Sequence, residues 1–306
     1  MSGVFAGYAT IATLIALGIF LAHVRVVDAA GQRTLSTLAF YVASPALLVT
    51  VLQDSDLGAV FSGALVATVA AVLVTAGLHV ALAVARRRRL GDAVVGALCS
   101  AYVNAGNLGL PIAAYVLGDA ALVAPLLLLQ MLVLQPLALT LLDVDASVDR
   151  FSLRRVLARP AKNPITVASA LGLGFALTGL ELPGVVEDPL TLVGGMAVPS
   201  MLIAYGISLR LGPLPGRGVP AAELAGVVGL KLVVQPALAW AAGRYALDLS
   251  ASQLLAVTVL AALPTAQNVF VIASRYQRSE LLARDSIFVS TLLSVPAVAV
   301  ITAVVV

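Results

Sequence analysis

The sequence predicts an all-α integral membrane protein with ten transmembrane helices, arranged as two inverted five-helix repeats in which helices 4 and 9 are broken and cross. Three observations support this fold class. Of the 306 residues, 61% are hydrophobic and 11% are charged, whereas soluble domains carry about 25% charged residues. Basic residues are confined to alternate loops, and helix-breaking residues recur at matching positions of the two halves. Aliphatic stretches without alternating ten-residue segments favour helices over a β-barrel.

Ten apolar stretches follow one another along the chain, each close to the length of about 20 residues that a helix needs to cross a bilayer. The predicted spans are 4–24, 34–52, 59–84, 92–118, 121–142, 163–180, 189–209, 220–243, 251–276 and 281–305. The first span has no basic segment before it and no clear small-residue cleavage site after it. We therefore expect a retained span rather than a signal peptide.

The loops between these spans alternate in charge. Sixteen of the 18 basic residues lie in one set of loops, which marks that side as cytoplasmic. They are Arg25, Arg33, Arg86, Arg87, Arg88, Arg89, Arg150, Arg154, Arg155, Arg159, Lys162, Arg210, Arg217, Arg275, Arg278 and Arg284. We read the run Arg86–Arg89 as an anchor that fixes this orientation, not as a nucleic-acid site. The expected protein is a multi-pass protein of the cell membrane, embedded in the lipid bilayer, with both termini outside the cytoplasm.

The longest polar loop divides the chain into two halves of five spans. Residues 1–145 form the first predicted repeat, 146–162 a cytoplasmic linker and 163–306 the second repeat. Because five is odd, the second repeat starts on the opposite side of the membrane and is inverted. The stretch AGNLGLPIAAY (105–115) aligns without gaps over AQNVFVIASRY (266–276). A proline follows Asn107 after 29 residues and Asn268 after 28 residues, which supports the repeat.

Both aligned regions carry residues that interrupt a helix. They are Asn104, Gly106, Asn107 and Pro111 in span 4, and Pro264, Thr265, Gln267 and Asn268 in span 9. Proline removes a backbone donor and glycine loosens a helix, so we expect half-helices joined by a short extended crossing. Half-helix N-termini carry partial positive charge. We therefore predict that these residues bind a carboxylate, the alternative being a proline kink without a ligand.

Polar residues in neighbouring spans extend the predicted site. Ser44 and Pro45 in span 2 and Gln130 and Gln135 in span 5 are expected to line its body, although the two glutamines could equally bond neighbouring helices. Lys231 is the only charged residue well inside a predicted span, so we expect it to face the bundle interior. It either carries a proton or balances an anion, or it is a fixed structural cation at the crossing. The sequence leaves these roles open.

Motifs of common catalytic and cofactor sites are missing from the sequence. It has no Walker A loop, no HExxH and no GxSxG. Cys99 is the lone cysteine, which excludes an internal disulfide and a cysteine-clustered metal site. We expect no enzymatic activity, no metal and no cofactor. His79 lies seven residues before the arginine run, which favours a place at the membrane interface over a proton relay.

Four stretches carry a family resemblance that covers the whole chain. They are NAGNLGLPIA (104–113), KLVVQPALAW (231–240), LPTAQNVFVIAS (263–274) and SIFVSTLLSVP (286–296). Together they resemble the auxin efflux carrier family, the bacterial relatives of the plant auxin carriers. The resemblance implies a fold similar to that of sodium/bile-acid symporters and sodium/proton antiporters. It also implies a scaffold of spans 1, 2, 6 and 7, often dimeric, and a moving transport domain of spans 3–5 and 8–10.

The function that the resemblance implies is secondary active transport, as an exporter, of a small organic acid anion, auxin-like or dicarboxylate. The mechanism would be elevator-type alternating access in a homodimer held together by scaffold helices. Plant carriers have largely apolar residues after the second proline, whereas Gln267 and Asn268 stand here, so auxin itself is not assumed. Two alternatives are a sodium-coupled organic anion symporter of the bile-acid type and a non-transporting membrane sensor. The short segments outside the first and last spans disfavour the sensor.

Overall fold

The described part of the protein is built almost entirely of helices. The computed structural model describes residues 2–54, 63–109, 112, 113, 117, 120–146 and 163–305. The helices are α1 (Ser2–His23), α2 (Ala29–Gln53), α3 (Gly63–Ala85), α4 (Leu90–Ala101), α5 (124–145), α6 (Pro164–Thr178), α7 (Gly184–Leu211), α8 (Ala221–Ala246), α9 (Ala251–Ala261), α10 (Asn268–Tyr276) and α11 (Glu280–Val305). A helical turn, Ala105–Gly109, follows the break after α4.

Six of these helices, namely α2, α3, α5, α7, α8 and α11, are long and apolar enough to cross a membrane. Shorter apolar stretches of 10–17 residues lie in α1, α4, α6 and α9. The predicted class, an all-α membrane protein, is confirmed. The count of ten spans, their inverted symmetry and the sidedness of the termini stay predictions. Most of the predicted linker 146–162 and the end of predicted span 4 lie outside the described residues.

Three of the long helices contain a π-helical turn, which we call a wide turn, just before a proline. Proline has no amide hydrogen, and its ring clashes with the carbonyl four residues back. In each helix the amide of the residue before the proline bonds the carbonyl five residues back instead. The wide turns are Ala39–Ala43 before Pro45, Gln130–Leu134 before Pro136 and Leu230–Val234 before Pro236. All three carry or directly precede polar residues of the predicted site, and such turns are often found at functional sites.

α1, α2, α6 and α7 pack against one another, and we call them group 1. α1 lies along the second half of α7, and the second half of α2 lies against α6 and the first half of α7. A Cβ added at Gly18 of α1 would lie 2.3 Å from the carbonyl oxygen of Ile203, and one at Gly206 of α7 would lie 2.2 Å from that of Ile15. Small residues let helices approach closely in membranes, so glycine sets the α1–α7 contact.

We expect Gly206→Val to destabilise the protein strongly, because the added side chain would meet the α1 backbone, which cannot rotate away. Overpacking of this kind costs on the order of 3 kcal/mol. The midpoint of thermal unfolding in detergent should fall well below that of the natural protein. Gly174→Val in α6 is the matched control, since a Cβ there meets nothing within 4 Å. Equal unfolding midpoints for Gly206→Val and Gly174→Val would contradict the close contact between α1 and α7.

The remaining helices, α3 to α5 and α8 to α11, pack together as group 2. α3 lies against α4, α8 and α9, α4 lies against α5, and α11 runs beside α4, α9 and α10. The breaks that follow α4 and α9 are therefore enclosed by α3, α5, α8 and α11. Protein covers the interrupted backbone, which is the condition for non-helical chain within a membrane.

A buried ion pair lies near the start of α11. The charge pattern counts Arg284 among the loop residues, but it belongs to α11, and its side chain and that of Asp285 are fully buried; the side of the membrane on which it lies stays a prediction. Arg284 Nη2 lies 2.6 Å from Asp285 Oδ1, and Asp285 Oδ2 accepts the amide hydrogen of Gly216 at 2.8 Å. The connection between α7 and α8 folds over the pair, a contact that sequence position does not reveal. Pairing and hydrogen bonding offset the cost of burying both charges.

Candidate functional site

Two extended segments cross in the middle of group 2. α4 ends at Ala101 and α9 ends at Ala261, and the chain that follows each helix end runs antiparallel to the other. Val103 pairs with Thr265, the Asn104 amide donates to the Pro264 carbonyl at 2.8 Å, and the Ala266 amide donates to the Tyr102 carbonyl at 3.1 Å. Each interrupted chain thus supplies hydrogen bonds that the other lost when its helix stopped. Pro264, which has no amide hydrogen, takes part only as an acceptor.

Side chains of Thr265 itself and of two neighbouring helices bond the backbone groups of the crossing that have no partner in it. The Thr265 hydroxyl donates to the carbonyl of Cys99 at 2.6 Å, and the Thr265 amide donates to Ser290 Oγ of α11 at 3.1 Å. Gln130 of α5 donates through Nε2 to the Val103 carbonyl at 2.9 Å. All of these groups are buried. Since an unbonded backbone group in a dry interior is costly, the side chains fix one conformation of the crossing.

The carboxyl-terminal ends of α4 and α9 are held by two adjacent side chains of α8. Lys231 Nζ donates to the carbonyl of Ala261, the last residue of α9, at 2.8 Å and to Gln235 Oε1 at 2.7 Å. Gln235 Nε2 donates in turn to the carbonyl of Ala101, the last residue of α4, at 3.1 Å. Lys231 is fully buried. Lys231 Nζ therefore lies where both helix dipoles have their negative ends.

A polar cluster lies at the amino-terminal end of α10. Gln135 Oε1 of α5 accepts the Tyr102 hydroxyl at 2.8 Å and Asn268 Nδ2 at 3.3 Å. Asn268 is the first residue of α10, a helix of nine residues. Its Oδ1 is buried and has no hydrogen-bond partner among the described residues. A side-chain amide with spare bonding capacity thus lies at the positive end of a helix.

Most of the residues predicted for the site come together at the crossing. They are Asn104, Gln130, Gln135, Lys231, Pro264, Thr265, Gln267 and Asn268, and all but Asn268 and Pro264 are buried polar or charged side chains. Gly106 is exposed, with no atom within 4 Å of an added Cβ. Pro111 and the side chain of Asn107 lie outside the described residues. In the described part no hydrogen bond joins Ser44 to the crossing, so the lining role of Ser44 and Pro45 stays a prediction.

Sequence reasoning missed Tyr102, Gln235 and Ser290 as members of this site. A signal for Gln235 was present, because Gln235-Pro236 in α8 repeats Gln135-Pro136 in α5, and both glutamines follow a wide turn. Tyr102 and Ser290 carry no comparable signal in the sequence. Their roles arise from contacts between distant parts of the chain.

Comparisons with known proteins agree with this architecture. A family model described as "Membrane transport protein" matches residues 4–302. The chain is 28% identical over 296 residues to a protein of Rhizobium meliloti (strain 1021) named "Putative malonate transporter", covering 92% of this chain and 90% of the relative. It is 29% identical over 287 residues to a protein of Methanothermobacter thermautotrophicus named "Uncharacterized transporter", covering 93% of each.

The family match covers nearly the whole chain, including the crossing and both groups of helices. It confirms the resemblance on which the function was predicted, and a family of membrane transporters agrees with the expectation that the protein is not an enzyme. The chain belongs to the membrane transport protein family that includes the auxin efflux carriers.

Proposed function

We propose that the protein is a secondary active transporter that exports a small organic acid anion, auxin-like or dicarboxylate. The carboxylate binds at the crossing of the interrupted helices. The observation that carries the proposal is the polar cluster of Tyr102, Gln135 and Asn268 at the start of α10, next to an anchored crossing. The name of one relative, "Putative malonate transporter", makes a dicarboxylate the first substrate to test.

The charges around the crossing favour an anion. The negative ends of α4 and α9 are covered by Gln235 and Lys231, whereas α10 begins at the crossing with its positive end. The amide of Asn268 can turn by half a rotation, because oxygen and nitrogen occupy nearly equal space. Its amino group then faces the side where Oδ1 now lacks a partner, while Oδ1 turns toward Gln135 Oε1, a contact between two acceptors that the hydrogen bond to an anion must outweigh. A carboxylate there would receive a hydrogen bond without a neutralising cation.

Packing supports an elevator-type motion. Group 1 corresponds to the proposed scaffold and is joined by close glycine contacts, which favour rigidity. Group 2 contains the crossing and corresponds to the proposed transport domain, in the arrangement of ten spans and two inverted repeats. We propose that group 2 moves past group 1 in the cell membrane, with both termini outside the cytoplasm, and that two copies associate through group 1.

The test is flux of radiolabelled malonate across proteoliposomes that contain the purified protein. We expect saturable, protein-dependent flux that unlabelled dicarboxylates compete away and that a sodium gradient does not drive. Strict dependence on sodium would instead identify a symporter of the bile-acid type. Binding of the acid without flux would identify a sensor. A parallel series with an aromatic acetic acid distinguishes an auxin-like substrate from a dicarboxylate.

A further inference from the structure

An apolar cluster joins the two groups of helices on one side of the crossing. Its fully buried members are Tyr205 of α7, Phe270 of α10 and Ile287 of α11, and Ile15 of α1 and Leu209 of α7 pack against them. We call these five residues the joint cluster. The rings of Tyr205 and Phe270 meet edge to face, with 5.6 Å between their centroids. Two helices of group 1 and two of group 2 therefore meet in one apolar contact.

The joint cluster lies between the crossing and one end of the molecule. α10 begins at the crossing with Asn268 and has nine residues, so it covers about 13 Å. We call the end at which α10 stops the basic end, because Arg275 and Arg278 lie there, and the charge pattern predicts that it faces the cytoplasm. Phe270 follows Asn268 by two residues. An anion that moves from the crossing to the basic end along the group 1 side of α10 therefore meets the joint cluster.

Hydrogen bonds fasten the two groups near the basic end. The hydroxyl of Tyr205 in α7 donates to the carbonyl of Arg284 in α11 at 2.8 Å. Arg275 Nε at the end of α10 donates to the hydroxyl oxygen of Tyr41 in α2 at 2.7 Å. Asp285 of α11 binds the connection between α7 and α8. Polar and apolar contacts thus hold α10 and α11 against group 1 together.

These contacts have to break in the elevator-type motion proposed above. α10 and α11 belong to group 2 and would move, whereas Tyr41 and Tyr205 belong to group 1 and would stay. Tyr205 contacts both moving helices, one through its ring and the other through its hydroxyl. Packed interfaces change between discrete arrangements rather than deforming continuously. The joint cluster is therefore expected to have a closed arrangement and an open one.

We propose that the joint cluster is a gate between the crossing and the basic end, that the structure describes its closed state, and that an anion enters from the basic end only after α10 and α11 part from α7. This inference rests on the proposed function, in which an exported anion is loaded from the cytoplasm. Closure depends most on Tyr205, because this residue supplies both the ring contact and a buried hydrogen bond.

The first test links the two groups at the basic end. Tyr41 and Arg275 are exposed, whereas the natural cysteine, Cys99, is fully buried. A short bifunctional thiol reagent should therefore join the two new cysteines of the double variant Tyr41→Cys/Arg275→Cys. We expect malonate flux in proteoliposomes to stop when the link forms and to return when a cleavable link is cut. The matched control is Asp145→Cys/Arg278→Cys, an ion-paired couple that lies wholly within group 2, where a link should leave flux unchanged.

Two results of this test would overturn the gate. One is undiminished flux in protein that is linked between positions 41 and 275. The other is failure of these positions to link under conditions in which the control pair links, because the two groups would then not be fastened at this end.

The second test needs no substrate. The side chain at position 287 is buried in the closed gate, so a membrane-impermeant thiol reagent can reach Ile287→Cys only when the gate opens. We expect slow labelling from the basic end, and Tyr205→Phe should speed it about fivefold, as for the loss of one hydrogen bond. Val95→Cys in α4, fully buried inside group 2, should stay unlabelled with or without Tyr205→Phe. Arg217→Cys, exposed in the α7–α8 connection, reports which side of the vesicle the reagent has reached.

Labelling of Ile287→Cys that is as slow as that of Val95→Cys, or that is faster from the opposite side, overturns the inference. An equal rise at both positions in Tyr205→Phe also overturns it, because the whole fold rather than the gate would have loosened. A protein that moves no organic acid removes the proposed function instead, while the labelling of Ile287→Cys still decides whether the gate opens. The two failures are therefore distinguishable.

Discussion

Replacing Asn104 and Asn268 together by alanine is expected to reduce malonate flux by about two to three orders of magnitude, since each hydrogen bond to a charged group contributes about 2 kcal/mol. The protein should still fold, because the main chain of Asn104 holds the crossing without its side chain. Its amide donates to Pro264, and its carbonyl accepts the amides of Leu108 and Gly109. The measurement is initial flux in proteoliposomes, with equal amounts of reconstituted protein.

Asn163→Ala provides the matched control. Asn163 is also a buried asparagine, but it caps α6 by accepting the amide hydrogen of Ile165 at 3.1 Å and lies away from the crossing. We expect this variant to lose some thermal stability and to retain malonate affinity. Undiminished flux in the double variant would rule out a carboxylate site at these two amides. If Asn163→Ala lost as much flux as the double variant, the loss would reflect reduced stability. That result, too, would rule out a carboxylate site at these two amides.

The membrane class and the position of the crossing could be predicted because they depend on local residue types. Pro264 and its polar neighbours cannot continue a helix in lipid. The sequence therefore indicates where the backbone needs hydrogen-bond partners outside its own helix. The structure agrees for span 9, whose helix stops at Ala261. In span 4 the helix stops at Ala101, so in both spans the helix ends three residues before the first predicted helix-breaking residue, Asn104 or Pro264. The reason is the pairing of Val103 with Thr265, which requires extended chain at that level.

The contacts that hold the site together could not be predicted, because they join residues far apart in sequence. Gln235 bonds a carbonyl 134 residues away, and Thr265 bonds one 166 residues away. Composition identifies such residues as polar and buried but not which backbone group each will meet. The ion pair of Arg284 and Asp285 shows the same limit, since only the fold of the α7–α8 connection covers it. Local pattern predicts which groups need partners, and tertiary packing supplies the partners.

Lys231→Met should destabilise the protein by about 3 kcal/mol or more, because it leaves the carbonyl of Ala261 and the Oε1 of Gln235 buried without a donor. If Lys231 is the fixed cation that we propose, malonate affinity should fall as well, since the group that covers the negative ends of α4 and α9 is lost. Val233→Met on the same wide turn is the control, because that side chain is 66% exposed and faces away from the crossing. Thermal unfolding and malonate binding are measured on the same samples.

Lys231→Gln separates the hydrogen bond from the charge. Glutamine keeps an amino group that can donate toward Ala261 but carries no charge, so part of the stability should return while the malonate affinity stays low. If Lys231 is a fixed cation at the crossing, stability and malonate affinity must respond differently in this way. The hydrogen-bond donor holds the helix end, whereas the charge acts on the anion. If Lys231→Gln restored both stability and affinity, the ammonium charge would have no part in anion binding. The positive end of α10 and its amides would then have to hold the carboxylate alone.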